Sequence, residues 1–221
     1  MEVLTAINGR RSVRSFTPEP VGRDVLVSMM SAALKAPSWG NTQPWEYAVI
    51  GGEAMSRLRA SIAEKLQAGE KPNMDVPPPQ FKGPHLERAK ATARRLFEEA
   101  DIMTEGSQAL TDWQRSMTRF FNAPNAVVVY MDASLNEWSM LDIGLSLENL
   151  MLTAWNYGVG SCALSAAVLY PDVLRRVLGI PESKRIIVGV ALGHPDFSSN
   201  AATLRSEREP MEALVTWHGF D

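Results

Sequence analysis

Residues 138–157 read WSMLDIGLSLENLMLTAWNY, a segment of helical length with apolar side chains on nearly all of its faces. A helix of this kind needs cover on every side, either inside the core of its own chain or against a second subunit. Asp142, Glu148 and Asn149 interrupt the longest apolar stretch, residues 138–162, so we do not expect a membrane span. The segment predicts a long, buried helix.

Strands and further helices are predicted on both sides of this helix. Val127–Tyr130 has the β-branched run of a buried strand, and residues 158–163 form a tight turn into a short strand. Proline-rich residues 72–84 are predicted to be an exposed loop. The other predicted strands are 45–50, 185–192 and, as an edge strand, 215–217; the predicted helices are 2–9, 24–36, 53–68, 85–105, 110–121 and 166–178. No linker divides the chain, so we expect one domain spanning 1–221.

Composition limits the kinds of function. With 221 residues, of which 45% are hydrophobic, the chain is long enough for one substantial core. The net charge of -3 argues against a nucleic-acid partner or an anionic membrane. The single cysteine, Cys162, excludes an intramolecular disulfide and is interpreted as a small packed thiol, and the three histidines lack metal-ligand spacing. We therefore expect a cytoplasmic protein that carries no secretory signal and binds no metal.

A basic cluster near the N-terminus is the first candidate binding site. It consists of Arg10, Arg11, Ser12 and Arg14. Arginine binds phosphate through planar, bidentate hydrogen bonds, so the cluster suits a phosphate monoester and the edge of an attached ring. Arg205 and Arg208, late in the chain, would complete a phosphate clamp if the tail folds back. The alternative for both groups is a solvated basic surface.

A proline-stiffened loop and a glycine turn are further candidates. In PSWGNTQPW, residues 37–45, Ser38, Asn41 and Gln43 supply donors and acceptors that suit the edge of a flavin pyrimidine ring. The alternative is an ordinary connection from helix to strand. The turn at residues 158–161 lets backbone approach a flat ligand, and an ordinary turn is the alternative.

The chain lacks the motifs of several enzyme classes. It contains no Gly-x-Ser-x-Gly elbow, no HExxH and no P-loop. The candidate groups suit an anion and a ring, and no general acid and general base accompany them. This combination indicates that a cofactor carries the chemistry.

The order of these motifs is more specific than any one of them. The chain contains RRSVRSF (10–16), PSWGNTQPW (37–45), DIGLSLENLMLTAWNYGVGSC (142–162), GHP (193–195) and REPMEALV (208–215). Together, and over nearly the whole chain, they resemble the FMN-dependent nitroreductase family. The resemblance implies an α+β fold with a mixed, largely antiparallel sheet flanked by helices. It also implies an intertwined homodimer around the long helix, with two FMN sites at the interface.

The resemblance also implies which residues contact FMN. The N-terminal cluster contacts the phosphate, the ribityl chain and the pyrimidine edge, and the late arginines return to the phosphate. The loop at 37–43 approaches the isoalloxazine from the partner subunit, and the turn at 160–161 with the backbone of 162–165 faces the ring near its reactive nitrogen. The implied cofactor-binding residues are Arg10, Arg11, Ser12, Arg14, Pro37, Ser38, Trp39, Asn41, Gln43, Gly160, Ser161, Ala163, Leu164, Arg205 and Arg208.

In such a fold, variable residues 71–122 cover the substrate pocket. The candidates for stacking on an aromatic acceptor are Trp39, Trp113, Phe120 and Phe121. For the last three, a core role is the alternative. Two positions depart from the family's pattern: Ser206 stands where a second basic residue is usual, and Ala163-Leu164 replaces a bulky residue.

The implied activity is that of an FMN-dependent oxidoreductase. By a ping-pong mechanism, a hydride passes from NAD(P)H through FMN to a nitroaromatic or similar small aromatic or quinone acceptor. Because FMN carries the chemistry, no catalytic side chain is predicted. A same-fold flavin enzyme of other chemistry, such as dehalogenation or flavin fragmentation, and a flavin-binding redox sensor are the alternatives. The choice between NADH and NADPH, the natural acceptor and the extent of nitro reduction stay open.

Overall fold

The structure is a computed structural model that describes residues 1–100, 102 and 107–220. The helices are α1 (Val3–Gly9), α2 (Arg23–Ala33), α3 (Gly52–Gln67), α4 (Gly83–Glu99), α5 (Ser107–Thr118), α6 (Glu137–Asn156), α7 (Pro171–Leu178) and α8 (Asn200–Thr203). The strands are β1 (Glu46–Gly51), β2 (Asn125–Asp132), β3 (Gly160–Leu164) and β4 (Lys184–Gly193). Short 3-10 turns lie at Trp39–Asn41, Phe120–Asn122, Ala166–Val168 and Met211–Ala213.

The four strands form one sheet in the order β1-β2-β4-β3, and each neighbouring pair is antiparallel. At the middle of the sheet, Val128 lies opposite Ala48 on one side and Gly189 on the other. The N-terminal segment adds a parallel bridge from Ser12 to Ser161, outside β3. The predicted α+β fold with a largely antiparallel sheet is confirmed.

Helices cover both faces of the sheet. Along β2, Ala126 and Val128 point into the core that contains α3 and α7. Val127, Val129 and Met131 point into the opposite core, which contains α2 and α6. All five side chains are fully buried. Because alternate residues face opposite cores, β2 has the uninterrupted apolar sequence of a strand that meets water on neither face.

The long helix α6 is covered on one side. Ile143 and Leu150 are buried against the sheet, whereas Trp138, Leu141 and Leu145 are 69%, 58% and 42% exposed. The predicted helix is therefore confirmed, and within the described chain one side of its apolar surface faces solvent. None of the helices in the described ranges is long and apolar enough to cross a membrane.

Two predicted elements are wrong. The helix predicted at 166–178 is broken, because α7 begins at Pro171, whose missing N–H and fixed ring favour a helix start. Residues 215–217 are exposed and, among the described residues, pair with no strand, so the predicted edge strand does not form. The helix predicted to reach residue 105 ends at Glu99, and most of its remainder lies outside the described residues.

Candidate functional site

The N-terminal arginine segment runs along the edge of β3. The backbone N–H of Val13 donates to the Ser161 carbonyl at 3.0 Å, and the backbone N–H of Arg14 donates to the Ala201 carbonyl at 3.1 Å. These bonds hold residues 10–14 between β3 and α8. In this extended stretch, neighbouring side chains point to opposite sides.

Gly160 permits this close approach. Val13 is fully buried against it, and a Cβ atom at Gly160 would lie 2.7 Å from Val13 Cγ2 and 2.8 Å from Val13 Cβ. Carbon atoms at that separation repel each other strongly, so the segment reaches β3 because residue 160 has no side chain. The role that the structure shows for Gly160 is to let the segment around Val13 pack against β3.

Arg11 and Arg205 lie together although they come from opposite ends of the chain. Arg11 Nη1 donates to the Thr203 carbonyl at 3.3 Å, and its guanidinium lies 5.0 Å from the centre of the Trp155 ring. Arg205 Nη1 donates to the Asn8 carbonyl at 3.1 Å. Burial, and secondarily the positive charge of Arg205, lower the pKa of Arg11. Two like charges held side by side favour a negatively charged ligand.

Four of the predicted arginines form no ion pair with any residue that the structure describes. Their guanidiniums donate to backbone carbonyls, and that of Arg208 donates also to the Ser206 hydroxyl at 2.8 Å. The four are Arg11, Arg14, Arg205 and Arg208. Arg208 is exposed, and its hydrogen bonds to described residues stay within its own segment.

Arg10 differs from the other four. Its Nη2 donates to both carboxylate oxygens of Glu148 on α6, at 3.0 Å and 3.1 Å. Its Nε atom, like that of Arg11, is buried and has no hydrogen-bond partner in the described chain. Both side chains therefore keep an unused donor.

Cys162 lies beneath this segment and is 3% exposed. Burial raises the pKa of its thiol, and the Arg14 charge and a hydrogen bond with Ser12 oppose that rise. A buried, protonated thiol is a poor nucleophile, so the predicted packing role is confirmed. Next to it, Leu164 is buried and Ala163 is exposed.

The loop at 37–43 lies near the start of α6. The backbone N–H of Trp39 donates to the Asp142 carboxylate, with oxygens at 3.2 Å and 3.3 Å, and the N–H of Gln43 donates to Ser38 Oγ at 2.9 Å. Asn41 and Gln43 adopt left-handed backbone, with φ of 56° and 48°. Trp39 is 75% exposed, so the loop presents its aromatic ring to the outside.

Within one chain, the loop and the arginines contact different parts of α6. The loop is bonded to Asp142, whereas Arg11 lies over Trp155, further along the same helix. At a rise of 1.5 Å per residue, these two positions on α6 are separated by roughly 20 Å, and Glu148, which binds Arg10, lies about 9 Å from Asp142. Among the described residues, no hydrogen bond or ion pair joins the loop to the arginine segment.

The three aromatic candidates of the covering segment have different positions. Phe120 is fully buried and Phe121 is 5% exposed, both in the core, and Phe120 covers Gly189 of β4. Of the two roles considered for these phenylalanines, the structure shows the core role, which replaces acceptor stacking. Trp113 packs on Phe121 with ring centres 5.1 Å apart and also lines a cavity beside Arg14.

Sequence reasoning missed two carboxylates of α6. Asp142 is 5% exposed and holds the loop, and Glu148 binds Arg10. The signal was available, because both residues interrupt an otherwise apolar helix, where a charge needs a partner. Among the described residues, no three His, Cys, Asp or Glu side chains form a group that would hold a metal.

Known proteins match this chain over most of its length. The model of the nitroreductase family matches residues 7–194. The chain belongs to the nitroreductase family. Within the family it is 28% identical, over 217 residues, to 4-nitrobenzoate reductase of Pseudomonas putida, covering 97% of this chain and 95% of the relative.

Two solved structures of the family share the fold. One is the FMN and NADPH-dependent nitroreductase NfnB from sphigopyxis sp. strain HMH, with a TM-score of 0.94, 26% identity and full coverage of both chains. The other is the FMN-dependent nitroreductase NfnB from Mycobacterium smegmatis in complex with NADPH, with a TM-score of 0.92, 27% identity and 97% coverage of both chains.

Proposed function

We propose that this protein is an FMN-dependent nitroreductase that uses NAD(P)H to reduce a small nitroaromatic compound. The observation that carries the proposal is the convergence of Arg11 and Arg205, without ion pairs among the described residues, in a chain of net charge -3. Family membership supports it, as do the cofactors named for the two similar structures.

The arginines present suit the phosphate of FMN. Buried donors without partners cost about 1–3 kcal/mol each, and a bound oxyanion would recover that cost for the Nε atoms of Arg10 and Arg11. Guanidiniums without carboxylate partners are free to take a phosphate in bidentate geometry. We assign the phosphate and ribityl chain to Arg10, Arg11, Ser12, Arg205 and Arg208, and the pyrimidine edge to Arg14.

The contribution of the chain to the chemistry is positional and electrostatic. When bound, FMN would supply the hydride-transfer chemistry that links NAD(P)H to the acceptor. Arg14, which we assign to the pyrimidine edge, would hold a fixed positive charge beside that edge of the ring. Cys162 takes no part, because its thiol is buried. Solvent supplies the protons, so the site needs no acid side chain.

We propose that two chains build each site. The loop at 37–43 is held at Asp142, whereas Arg10 contacts Glu148 and Arg11 contacts Trp155 further along α6, which suits a site made from the loop of one subunit and the arginines of the other. Exposed apolar side chains offer the surface for pairing: on α6 they are Leu141 and Leu145, and on α1 they are Val3, Leu4 and Ile7. Large exposed apolar surface marks an interface. The partner's loop would supply Pro37, Ser38, Trp39, Asn41 and Gln43.

The acceptor is assigned to a cavity beside the loop. Trp39 and Trp138 line a space of about 510 Å³ with the buried Asp142. A cavity of this size accommodates a single aromatic ring with its substituents. Trp39 offers an exposed ring face for stacking. A lone buried cysteine suits a reducing compartment, so we place the enzyme in the cytoplasm.

An anaerobic titration tests the proposed function. The purified protein is expected to show a flavin absorbance band that NAD(P)H bleaches and 4-nitrobenzoate restores. Colourless protein that takes up no FMN would refute the proposal. A flavin band that NAD(P)H does not bleach would indicate a binding protein, and bleaching without turnover of nitroaromatics would indicate another flavin chemistry.

A further inference from the structure

A cavity between α4 and the C-terminal tail contains four arginines. Its volume is about 230 Å³, and its walls are one face of α4 and residues 204–209. Arg88 and Arg95 come from α4, and Arg205 and Arg208 come from the tail. The two tail arginines belong to the proposed FMN site, whereas the two on α4 have no role in it.

The arginines of α4 line this cavity from one face of the helix. Arg88, Thr92 and Arg95 lie at helical spacings of four and three residues, so they share one face of the helix. Arg88 Nε donates to Glu209 at 2.6 Å, and Arg95 Nη1 donates to Glu207 at 3.0 Å. These bonds point both guanidiniums at the tail.

The cavity is positively charged. Four arginines face Glu207 and Glu209 there, and Arg95 also donates from Nε to Glu99 of its own helix at 2.7 Å, so the arginines still outnumber the carboxylates by one in a chain whose net charge is -3. The two ion pairs are partly exposed, with the arginine side chains 42% and 43% accessible, so they contribute little to stability. A ligand with two negative charges would displace the two carboxylates and gain contacts with all four guanidiniums.

We propose that this cavity binds a phosphate monoester dianion and that Arg88 and Arg95 are phosphate-binding residues. The inference rests on the proposed function, which supplies two sources of such a group: the 5′-phosphate of FMN and the 2′-phosphate of NADPH. If FMN supplies the phosphate, Arg88 and Arg95 add to the contacts of Arg205 and Arg208. If NADPH supplies it, those two tail arginines belong to the NADPH site, and Arg10, Arg11 and Ser12 hold the FMN phosphate. In either case α4, part of the variable cover, participates directly in ligand binding. Glu207 and Glu209 hold the guanidiniums in place until the phosphate arrives.

Paired variants test the inference in the full-length chain after its flavin is removed. Arg88→Gln/Arg95→Gln removes the cations, and the glutamate variant Glu99→Gln/Glu207→Gln/Glu209→Gln removes the same three ion pairs but keeps the cations. Arg57→Gln is the matched control, because Arg57 is an exposed helix arginine that pairs with Glu53 on α3. The measurements are dissociation constants for FMN and riboflavin, and the rates at which NADPH and NADH reduce the FMN-loaded protein.

The two sources give different results. If FMN supplies the phosphate, the arginine variant loses at least about tenfold in FMN affinity and keeps its riboflavin affinity. If NADPH supplies it, the variant keeps FMN affinity and loses at least about tenfold in its preference for NADPH over NADH. The glutamate variant binds the phosphate at least as tightly as the parent, because competing carboxylates are gone.

Two results would overturn the inference. Equal losses in the arginine and glutamate variants would mean that the ion pairs simply hold α4 on the tail. Changes no larger than those of Arg57→Gln would mean that the cavity binds no phosphate. Failure of the parent protein to bind FMN, or to be reduced by NAD(P)H, would end the proposed function and this inference with it.

Discussion

Replacing Gly160 by alanine is expected to push the arginine segment away from β3. The new methyl group would lie 2.7 Å from Val13 Cγ2 and 3.0 Å from Val13 Cγ1. Val13 is fully buried and β-branched, so its side chain has little freedom to rotate away. The backbone of residues 10–14 must therefore move, and the flavin contacts assigned to it must move as well.

The expected cost follows from overpacking a closed core. Inserting a methyl group into such a site destabilises a protein by roughly 1–3 kcal/mol. Shortening the neighbour by Val13→Ala removes two buried methyl groups and costs roughly 2 kcal/mol. The double variant should cost less than the sum of the two, by roughly 0.5–3 kcal/mol, because the smaller residue 13 makes room for the methyl group at 160.

Urea unfolding of the flavin-free protein, followed by circular dichroism at one protein concentration, measures these costs. FMN affinity is measured in parallel, and it should fall in Gly160→Ala and recover partly in the double variant. If the two single losses simply add, or if Gly160→Ala is as stable as the parent, the contact between Val13 and Gly160 does not position the segment.

Three further predictions address other parts of the site. Native Cys162 should resist a thiol reagent and react after unfolding. Because burial raises the pKa of this thiol, the free energy of unfolding should be highest below the ordinary pKa of 9.0 and should fall as the pH rises above that value. Cys162→Ala should lack this fall. Fast reaction of the folded protein with the thiol reagent would contradict the burial of Cys162. Asp142→Ala should cost about 1 kcal/mol in urea unfolding by leaving the Trp39 N–H unpaired, and Asp142→Asn should cost less; equal losses would argue against the hydrogen bond. Leu141→Glu should yield monomers in light scattering and lose FMN, whereas Leu66→Glu, a matched exposed leucine on α3, should do neither.

Much of the fold was predictable because its signals are local. The apolar run of β2 and the length of α6 identified both elements, since a strand buried on both faces and a central helix need apolar side chains almost everywhere. Pro171 indicated an interruption within the predicted helix 166–178, and the prediction did not take it into account. The failed strand at 215–217 shows that three residues with high strand propensity form a strand only where a partner edge exists.

The residue types of the site were predictable from the sequence, whereas the residues that they contact were not. The arginines and the loop amides were visible as motifs, but the contact of Arg205 with Asn8 depends on how the tail returns, which no local pattern encodes. Phe120 and Phe121 have φ of 58° and 50°, a conformation that bulky residues adopt only under tertiary packing. Their backbone conformation was therefore beyond a local prediction. In the sequence, the arginines of α4 have the pattern of ordinary surface charges. Their contact with the tail is visible only in the structure.

A mixed dimer tests most directly the claim that two chains share each flavin. One chain carries Arg14→Ala, the other carries Asn41→Ala/Gln43→Ala, and the two are produced together with different affinity tags. Either variant by itself is expected to lose FMN. Because a symmetric dimer repeats the site, the purified mixed dimer should contain one intact site and about one FMN per two chains. A mixed dimer that binds as little FMN as the two variant homodimers would contradict the account, and so would FMN bound to isolated monomers.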